Sequence, residues 1–362
     1  MGKSEIAYSM IDPLRHMFEQ ESTYNLIYDI EQLSTFNSML DQHKVWRCMI
    51  CEWCYSVVDH FQVNREIVAF AMDYFDRLVI MGAVSSSQSN GRMGSRDYQL
   101  VAATCLFVAT KLHSDCKLDS SGKRSKPTIN LNSLTKLSKG QFTADDIIDA
   151  EKHLLHSLDW MVNPVTPSSF VNHMLAFLDS LTETKPPHWD QIINTIQESS
   201  GYLTELAICL PEIISFKVDP TNDSKAVAQK LYSSSHIAFT SILISMEMFT
   251  YEVLPLALRY SFIKSIIKGY AEAPRSHASV LPLVPDNEHI QHLKSILHRE
   301  FEPEVVWDLS TLGNQYPNCF VQEGSTCTYP TVSLSNEDNE EEFERNAETS
   351  IRLQKDCQIY TY

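Results

Sequence analysis

Apolar positions recur with a helical period along most of the chain. Trp46, Met49, Ile50, Trp53 and Val57 fall at i, i+3, i+4, i+7 and i+11, which is one face of a helix. Ile67, Phe70, Ala71, Tyr74, Phe75 and Leu78 repeat the pattern. The stretch LVAATCLFVA over 100–109 is apolar all round and rich in Ala. It predicts a helix in the middle of a bundle, where small side chains let neighbours approach. Thr143 with Asp146 three residues later reads as a capping-box-like helix start. The face of that helix is Ile147, Glu151, Leu154, Leu155 and Leu158. In Asn163-Pro164-Val165-Thr166-Pro167 the chain breaks and starts again, with Thr166 as N-cap and Pro167 at the first helical position.

A domain boundary is placed at that break. Five further helices are predicted, over about 167–179, 188–209, 232–249, 255–271 and 286–300. Met81 to Ser95 is rich in Ser and Gly, Cys116 to Thr128 carries SSGKRSKP, and both read as loops. No repeat appears at the level of residues, but two successive sets of roughly five helices have similar total length. The periodicity then fades after about residue 301. From Ser333 to Ser350 there are seven acidic residues and one basic, Arg345, a composition that predicts a disordered acidic tail.

Charge narrows the partners. The 362 residues carry 29 Lys and Arg against 46 Asp and Glu, a net charge of −17. That balance disfavours a general binder of nucleic acid or of anionic membranes, both of which need a positive surface. No segment reaches the roughly 18–20 apolar residues needed to span a bilayer, and the first ten residues lack a signal-peptide core. With nine Cys at irregular spacing, reduced thiols of the cytosol or nucleus are expected.

Candidate chemistry is sparse. Cys48, Cys51 and Cys54 have C-x2-C-x2-C spacing, but inside a Trp-containing amphipathic helix rather than a Gly-bearing turn. Small packing residues are expected there, and no metal or other cofactor. The sequence contains no G-x-S-x-G, no H-E-x-x-H and no kinase signature set, so it offers no motif for a catalytic residue. Lys123-Arg124-Ser125-Lys126 is the one basic run, read either as a solvated loop or as a weak nuclear import signal.

The stretch WRCMICEWCYSVVDHFQVNREIVAFAMDYFDRL over 46–78 resembles the opening of a cyclin box. Cyclins carry an Arg in a hydrophobic helix, a Trp six residues later and an Asp-Arg pair ending the next helix. The matching positions are Arg47, Trp53 and Asp76-Arg77. YQLVAATCLFVATKL over 98–112 is similar to the buried third helix of the box, with its closing Lys at Lys111. AEKHLLHSLDW over 150–160 is similar to the fifth helix, with its leading Glu at Glu151. Thr166 and Phe170 resemble the start of a second cyclin fold.

The resemblance implies an all-α fold: an N-terminal extension and helix over 1–35, an N-terminal cyclin box over 36–163, a C-terminal cyclin fold over 164–300 and the acidic tail over 301–362. It implies a non-enzymatic regulatory subunit of the nucleus and cytoplasm, which forms a heterodimer with a cyclin-dependent kinase and activates it. The alternative is a transcription-related cyclin-fold adaptor with non-kinase partners, which has no need of Lys111 and Glu151.

Each implied residue has a physical reading. Arg47 and Asp76 lie on apolar helices that must pack together, and buried charges need partners, so a salt bridge between them is expected. Lys111 ends one helix and Glu151 sits near the start of another, where each suits the helix dipole. That can be their whole role. By the resemblance they are also the pair that hydrogen-bonds exposed backbone of the kinase, within a surface completed by Leu112, Leu155, Trp160 and Val162.

Trp46, Met49, Ile50 and Trp53 with Gln99 match the patch on which many cyclins dock Arg-x-Leu-type substrates or inhibitors, and core packing is an equal reading of these residues. The acidic residue that follows the Trp in that patch is replaced by Ser56. The aromatic-Glu-Glu that often follows the Lys is replaced by Leu112-His113-Ser114-Asp115.

Overall fold

The computed structural model describes residues 3–24, 28–29, 40–85, 95–114, 129–182, 185–213, 216–219, 227–230, 232–272 and 287–300. The expected loop over 116–128 with its basic run, and the acidic tail over 301–362, lie outside these residues. So does most of the expected loop over 81–95, but its first part, Met81 to Ser85, is helical.

The helices are α1 (Lys3–Tyr24), α2 (Leu40–His60), α3 (Glu66–Ser85), α4 (Ser95–His113), α5 (Leu131–Leu137), α6 (Ala144–Ser157), α7 (Pro167–Leu181), α8 (Trp189–Cys209), α9 (Ser234–Glu247), α10 (Leu256–Glu272) and α11 (Asn287–Glu300). None of them is long and apolar enough to cross a membrane. Among the described residues the fold is α-helical apart from one small sheet, with two successive sets of five helices, α2–α6 and α7–α11, after the N-terminal helix.

Local sequence fixes several starts. The Thr143 side chain accepts from the backbone N–H of Asp146, and the Asp146 carboxylate accepts from the backbone N–H of Thr143, which closes a capping box on α6. Thr166 caps α7 by accepting from the Ser169 N–H, with Pro167 just inside the helix. Each set is then organised around one buried helix. Ala102, Ala103, Cys105, Leu106, Val108 and Ala109 of α4 are all buried, and α4 packs on α2, α3 and α6. In the second set α9 plays this part: Ile237, Ala238, Phe239, Ile242, Ile244 and Met246 are buried, and the helix packs on α7, α8 and α11.

Helix α1 ties into the second set. Phe18 stacks between Phe170 and Tyr270, with ring centroids 5.4 and 4.0 Å away. Gly269 of α10 permits the close approach of α1, since a Cβ there would lie 3.3 Å from Ile11 Cδ1. The buried Glu21 carboxylate accepts from the Ser235 backbone N–H at 2.8 Å and from the Ser235 hydroxyl. It therefore caps the positive end of α9 from another helix. Glu21→Ala is expected to lower unfolding free energy by about 2–3 kcal/mol, because buried donors lose a charged acceptor. Urea denaturation measures this, and an unchanged midpoint would mean that the cap carries no weight.

One element goes beyond the helical reading. A three-stranded antiparallel sheet forms in the order β1 (Tyr28–Asp29), β3 (Val227–Lys230), β2 (Phe216–Asp219), with Tyr28 opposite Ala228 and Phe216 opposite Lys230. Strands of two and four residues are too short for a period of two to show against a helical background.

Candidate functional site: a charged pair on a buried scaffold

The centre of the first set is a buried ion pair. Arg47 of α2 donates from Nε and Nη2 to the two oxygens of Asp76 on α3, at 2.9 and 3.1 Å. The two side chains are 2% and 8% exposed, so the pair is shielded from water and salt. Arg47 Nη1 donates further, to the carbonyl oxygens of Ile208 at the end of α8 and of Leu210 just after it. Cys48 Sγ lies 3.1 Å from the Cys209 carbonyl oxygen. The C-terminus of α8, where carbonyls lack helical partners, is thus capped by side chains of α2. Sequence reasoning missed this second role, because nothing local to Arg47 signals a partner some 160 residues away.

Other ties join the two sets. Arg65 donates to both Glu205 oxygens on α8 at 3.0 Å and lies over the Tyr55 ring. The Glu66 carboxylate at the start of α3 accepts from the Thr166 and Ser169 hydroxyls at the start of α7.

Beside the Arg47–Asp76 pair, His43 is buried near the rings of Phe75 and Tyr98, with centroids 5.8 and 6.1 Å away. Burial pushes its imidazole down to about 4, against the pull of Asp76 and with the push of Arg47. An unfolded His titrates near 6.5. The folded value is depressed, so the neutral form is the stable one inside. This contribution is complete above about pH 6.5 and is lost as pH falls toward 4, about 3 kcal/mol over the whole window. Urea midpoints at pH 7.5 and 4.5 are expected to differ more in the wild type than in His43→Gln. Equal differences would place the proton uptake elsewhere.

Asp76 and Arg77 are adjacent in sequence but serve different neighbours. Arg77 donates to Asp73 at 2.9 Å and to the Met161 carbonyl at 2.6 Å. The Tyr74 hydroxyl donates to the Val162 carbonyl, and His113 Nε2 lies 3.0 Å from the same oxygen. His113 also stacks on Phe70, with centroids 3.7 Å apart. These groups hold the segment that leaves α6. There the Trp160 N–H donates to the Leu155 carbonyl and the Asp159 N–H to that of His156, which is the pattern of a Schellman turn. Asp159 and Trp160 have left-handed φ values of 49° and 60°, and Trp160 is 63% exposed. A large aromatic residue in that region is uncommon. The anchors on Met161 and Val162 keep it in place.

Lys111 Nζ donates to Glu151 Oε1 at 2.8 Å, with side chains 54% and 15% exposed. The ammonium also lies 5.7 Å from the Phe107 ring centroid. Leu112 is 48% exposed, while Leu155 and Val162 are half-buried. One detail of the sequence reading is corrected: Glu151 lies in the middle of α6, not near its start, so the helix dipole does not account for it. Asp145 and Asp146 occupy the first turn instead. Lys111 does lie in the last turn of α4.

Among the other patch residues, Trp46 stacks on Tyr98 with centroids 5.8 Å apart and planes 11° apart. Trp46, Met49, Trp53 and Gln99 are half-buried, whereas Ile50 is buried and belongs to the core. Ser56 is exposed and donates to the Glu52 carbonyl at 3.0 Å. Cys51 and Cys54 are buried in the helix packing, and Cys48 is half-buried.

Residues 16–163 match the family model described as cyclin, N-terminal domain. G1/S-specific cyclin-E of Drosophila melanogaster is 29% identical over 133 residues, which cover 36% of this chain and 16% of that protein. G1/S-specific cyclin-D1 of Bos taurus is 25% identical over 201 residues, covering 54% of this chain and 57% of that one. The match thus spans less than two thirds of the length of these relatives. Among solved structures, the viral cyclin from Herpesvirus saimiri aligns with a TM-score of 0.44 at 15% identity, over 75% of this chain and 95% of that one. A chain of the CAK complex from Chaetomium thermophilum aligns at 0.42 and 12%, over 86% and 81%. The matched domain runs from within α1 to the break before α7 and takes in both charged pairs, Arg47–Asp76 and Lys111–Glu151. Over residues 16–163 the chain is thus similar to the N-terminal domain of cyclins.

Proposed function

We propose that this chain is the regulatory subunit of a cyclin-dependent protein kinase, acting in the nucleus and cytoplasm. In this reading the cyclin box covers 36–163, a second cyclin fold covers 164–300, and 1–35 and 301–362 flank them. The kinase docks on the face made by Lys111, Glu151, Leu112, Leu155, Trp160 and Val162.

The observation that carries the reading is the Lys111–Glu151 pair. It is exposed on the lysine side, with the exposed Leu112 next to Lys111 in sequence and the exposed Trp160 just beyond the end of α6, on helices whose other faces are buried. Such a face offers a donor and an acceptor at fixed positions to the backbone of a partner helix, with apolar surface around them. In a kinase, the αC-helix Glu must meet the Lys of the third strand before ATP is positioned. A subunit that binds only the arrangement in which they meet shifts the population toward it. A hundred-to-one reversal needs about 5.5 kcal/mol of differential affinity.

The relatives named as G1/S-specific cyclins support a role in cell-cycle progression. Trp46, Met49, Trp53 and Gln99 form a second surface suited to kinase substrates or inhibitors. Ser56 replaces the acid that would select an Arg there.

The test is co-expression with each cyclin-dependent kinase of the same organism, followed by size exclusion. A stable one-to-one complex is expected with at least one of them. Elution as separate species from every kinase would move the function to a non-kinase adaptor.

A further inference from the structure

The junction of α2 and α8 holds a pair of thiols for which kinase binding gives no use. Cys51 Sγ and Cys209 Sγ are 3.2 Å apart, on residues 158 positions apart in sequence. Cys51 is fully buried, and Cys209, the last residue of α8, is half-buried and so within reach of a small solute. Their surroundings are fixed. Arg47, one turn before Cys51, bonds the carbonyls of Ile208 and Leu210 on either side of Cys209, and Cys48 Sγ lies against the Cys209 carbonyl. The hydrogen bond with Cys51 and the nearby Arg47 charge hold the Cys209 thiol below its usual range, whereas burial pushes Cys51 up. Cys209 is therefore the member that reaches the reactive thiolate form.

We propose that Cys209 and Cys51 are a peroxide-sensitive thiol pair, in which hydrogen peroxide forms a disulfide that joins α2 to the end of α8. In the first step the Cys209 thiolate attacks one oxygen of the peroxide. The S–O bond forms, the O–O bond breaks, and the departing hydroxide takes a proton to become water. In the second step the Cys51 sulfur attacks the sulfur of the Cys209 sulfenic acid. The S–S bond forms, the S–O bond breaks, and the hydroxide leaves with the Cys51 proton as a second water. Two thiols are oxidised, one peroxide is reduced, and two waters are produced. The sulfurs must close from 3.2 Å to about 2.05 Å, a shift of little more than 1 Å within side chains that already touch. The bond would close a long loop between the two helix sets, at the place where Arg47 already ties them non-covalently.

The test uses the full chain, reduced and then exposed to hydrogen peroxide alone, with remaining thiols blocked before digestion. The tryptic peptide that follows Arg47 carries Cys48, Cys51 and Cys54, so its fragmentation must place the link. The expected product joins Cys51 to Cys209, is lost with dithiothreitol, and raises the melting temperature by about 5 °C or more. Cys209→Ser should abolish the link, leave Cys51 free for alkylation on denaturation and remove the thermal shift. Should that variant fail to fold, the wild-type peptide map decides alone. Oxidation of Cys209 to sulfinic acid beside a free Cys51, a link to another cysteine, or no oxidation would each overturn the proposal.

Discussion

Replacing Arg47 with Ala is expected to lower the unfolding free energy by about 3–5 kcal/mol, the cost of leaving one partner of a buried ion pair behind. The Asp76 side chain is 8% exposed and would lose the cation it pairs with, while the carbonyls of Ile208 and Leu210 lose their shared donor. A second comparison isolates the cause. Removing both charges together, as Arg47→Met with Asp76→Leu, should cost clearly less than Arg47→Ala alone, since an apolar pair of similar volume leaves no orphaned charge. Urea unfolding followed by circular dichroism and by Trp fluorescence gives both numbers. The two probes must coincide for a single free energy to have meaning. A loss below 1 kcal/mol for Arg47→Ala would mean that the pair contributes as a surface bridge does.

The second large effect is on binding rather than stability. Lys111→Ala with Glu151→Ala is expected to weaken kinase binding by at least a hundredfold, about 3 kcal/mol, while helicity and melting temperature barely change. The pair itself adds little to folding, because Lys111 is largely exposed and water competes for it. In the proposed complex with a kinase helix the same groups would be desolvated, where hydrogen bonds to charged atoms count for more. The double variant is preferable to Lys111→Ala alone, which would strand Glu151, 15% exposed, without its cation. Calorimetric titration of the kinase with each protein measures the ratio. Wild-type affinity in the double variant would place the kinase on another face.

The fold was largely legible because its signals are local. Thr143 with Asp146, and Thr166 with Pro167, mark helix starts within four residues. An apolar run without a polar stripe over 100–109 marks the centre of a bundle. An arginine and an aspartate on apolar helix faces each demand a partner, and Arg47 and Asp76 bond each other.

What stayed hidden is long-range or too short. The Arg47 contacts with α8 and the Glu21 cap on α9 join segments far apart in sequence, and no periodicity encodes them. The sheet rests on strands of two to four residues. The matched motif begins at Ala150 and so suggests a helix start beside Glu151, whereas the capping box opens that helix at Thr143. Among the patch residues, spacing put Ile50 beside Trp46 and Trp53 without telling which of them would be buried.

We propose above that this chain activates a kinase through the Lys111–Glu151 face. The most direct measurement is histone phosphorylation by each cyclin-dependent kinase of the same organism, alone, with the wild-type chain and with the Lys111→Ala/Glu151→Ala variant. Activity well above that of the kinase alone is expected with the wild type, and a return to that level with the variant. Equal stimulation by both proteins, or none by the wild type with any kinase, would contradict it.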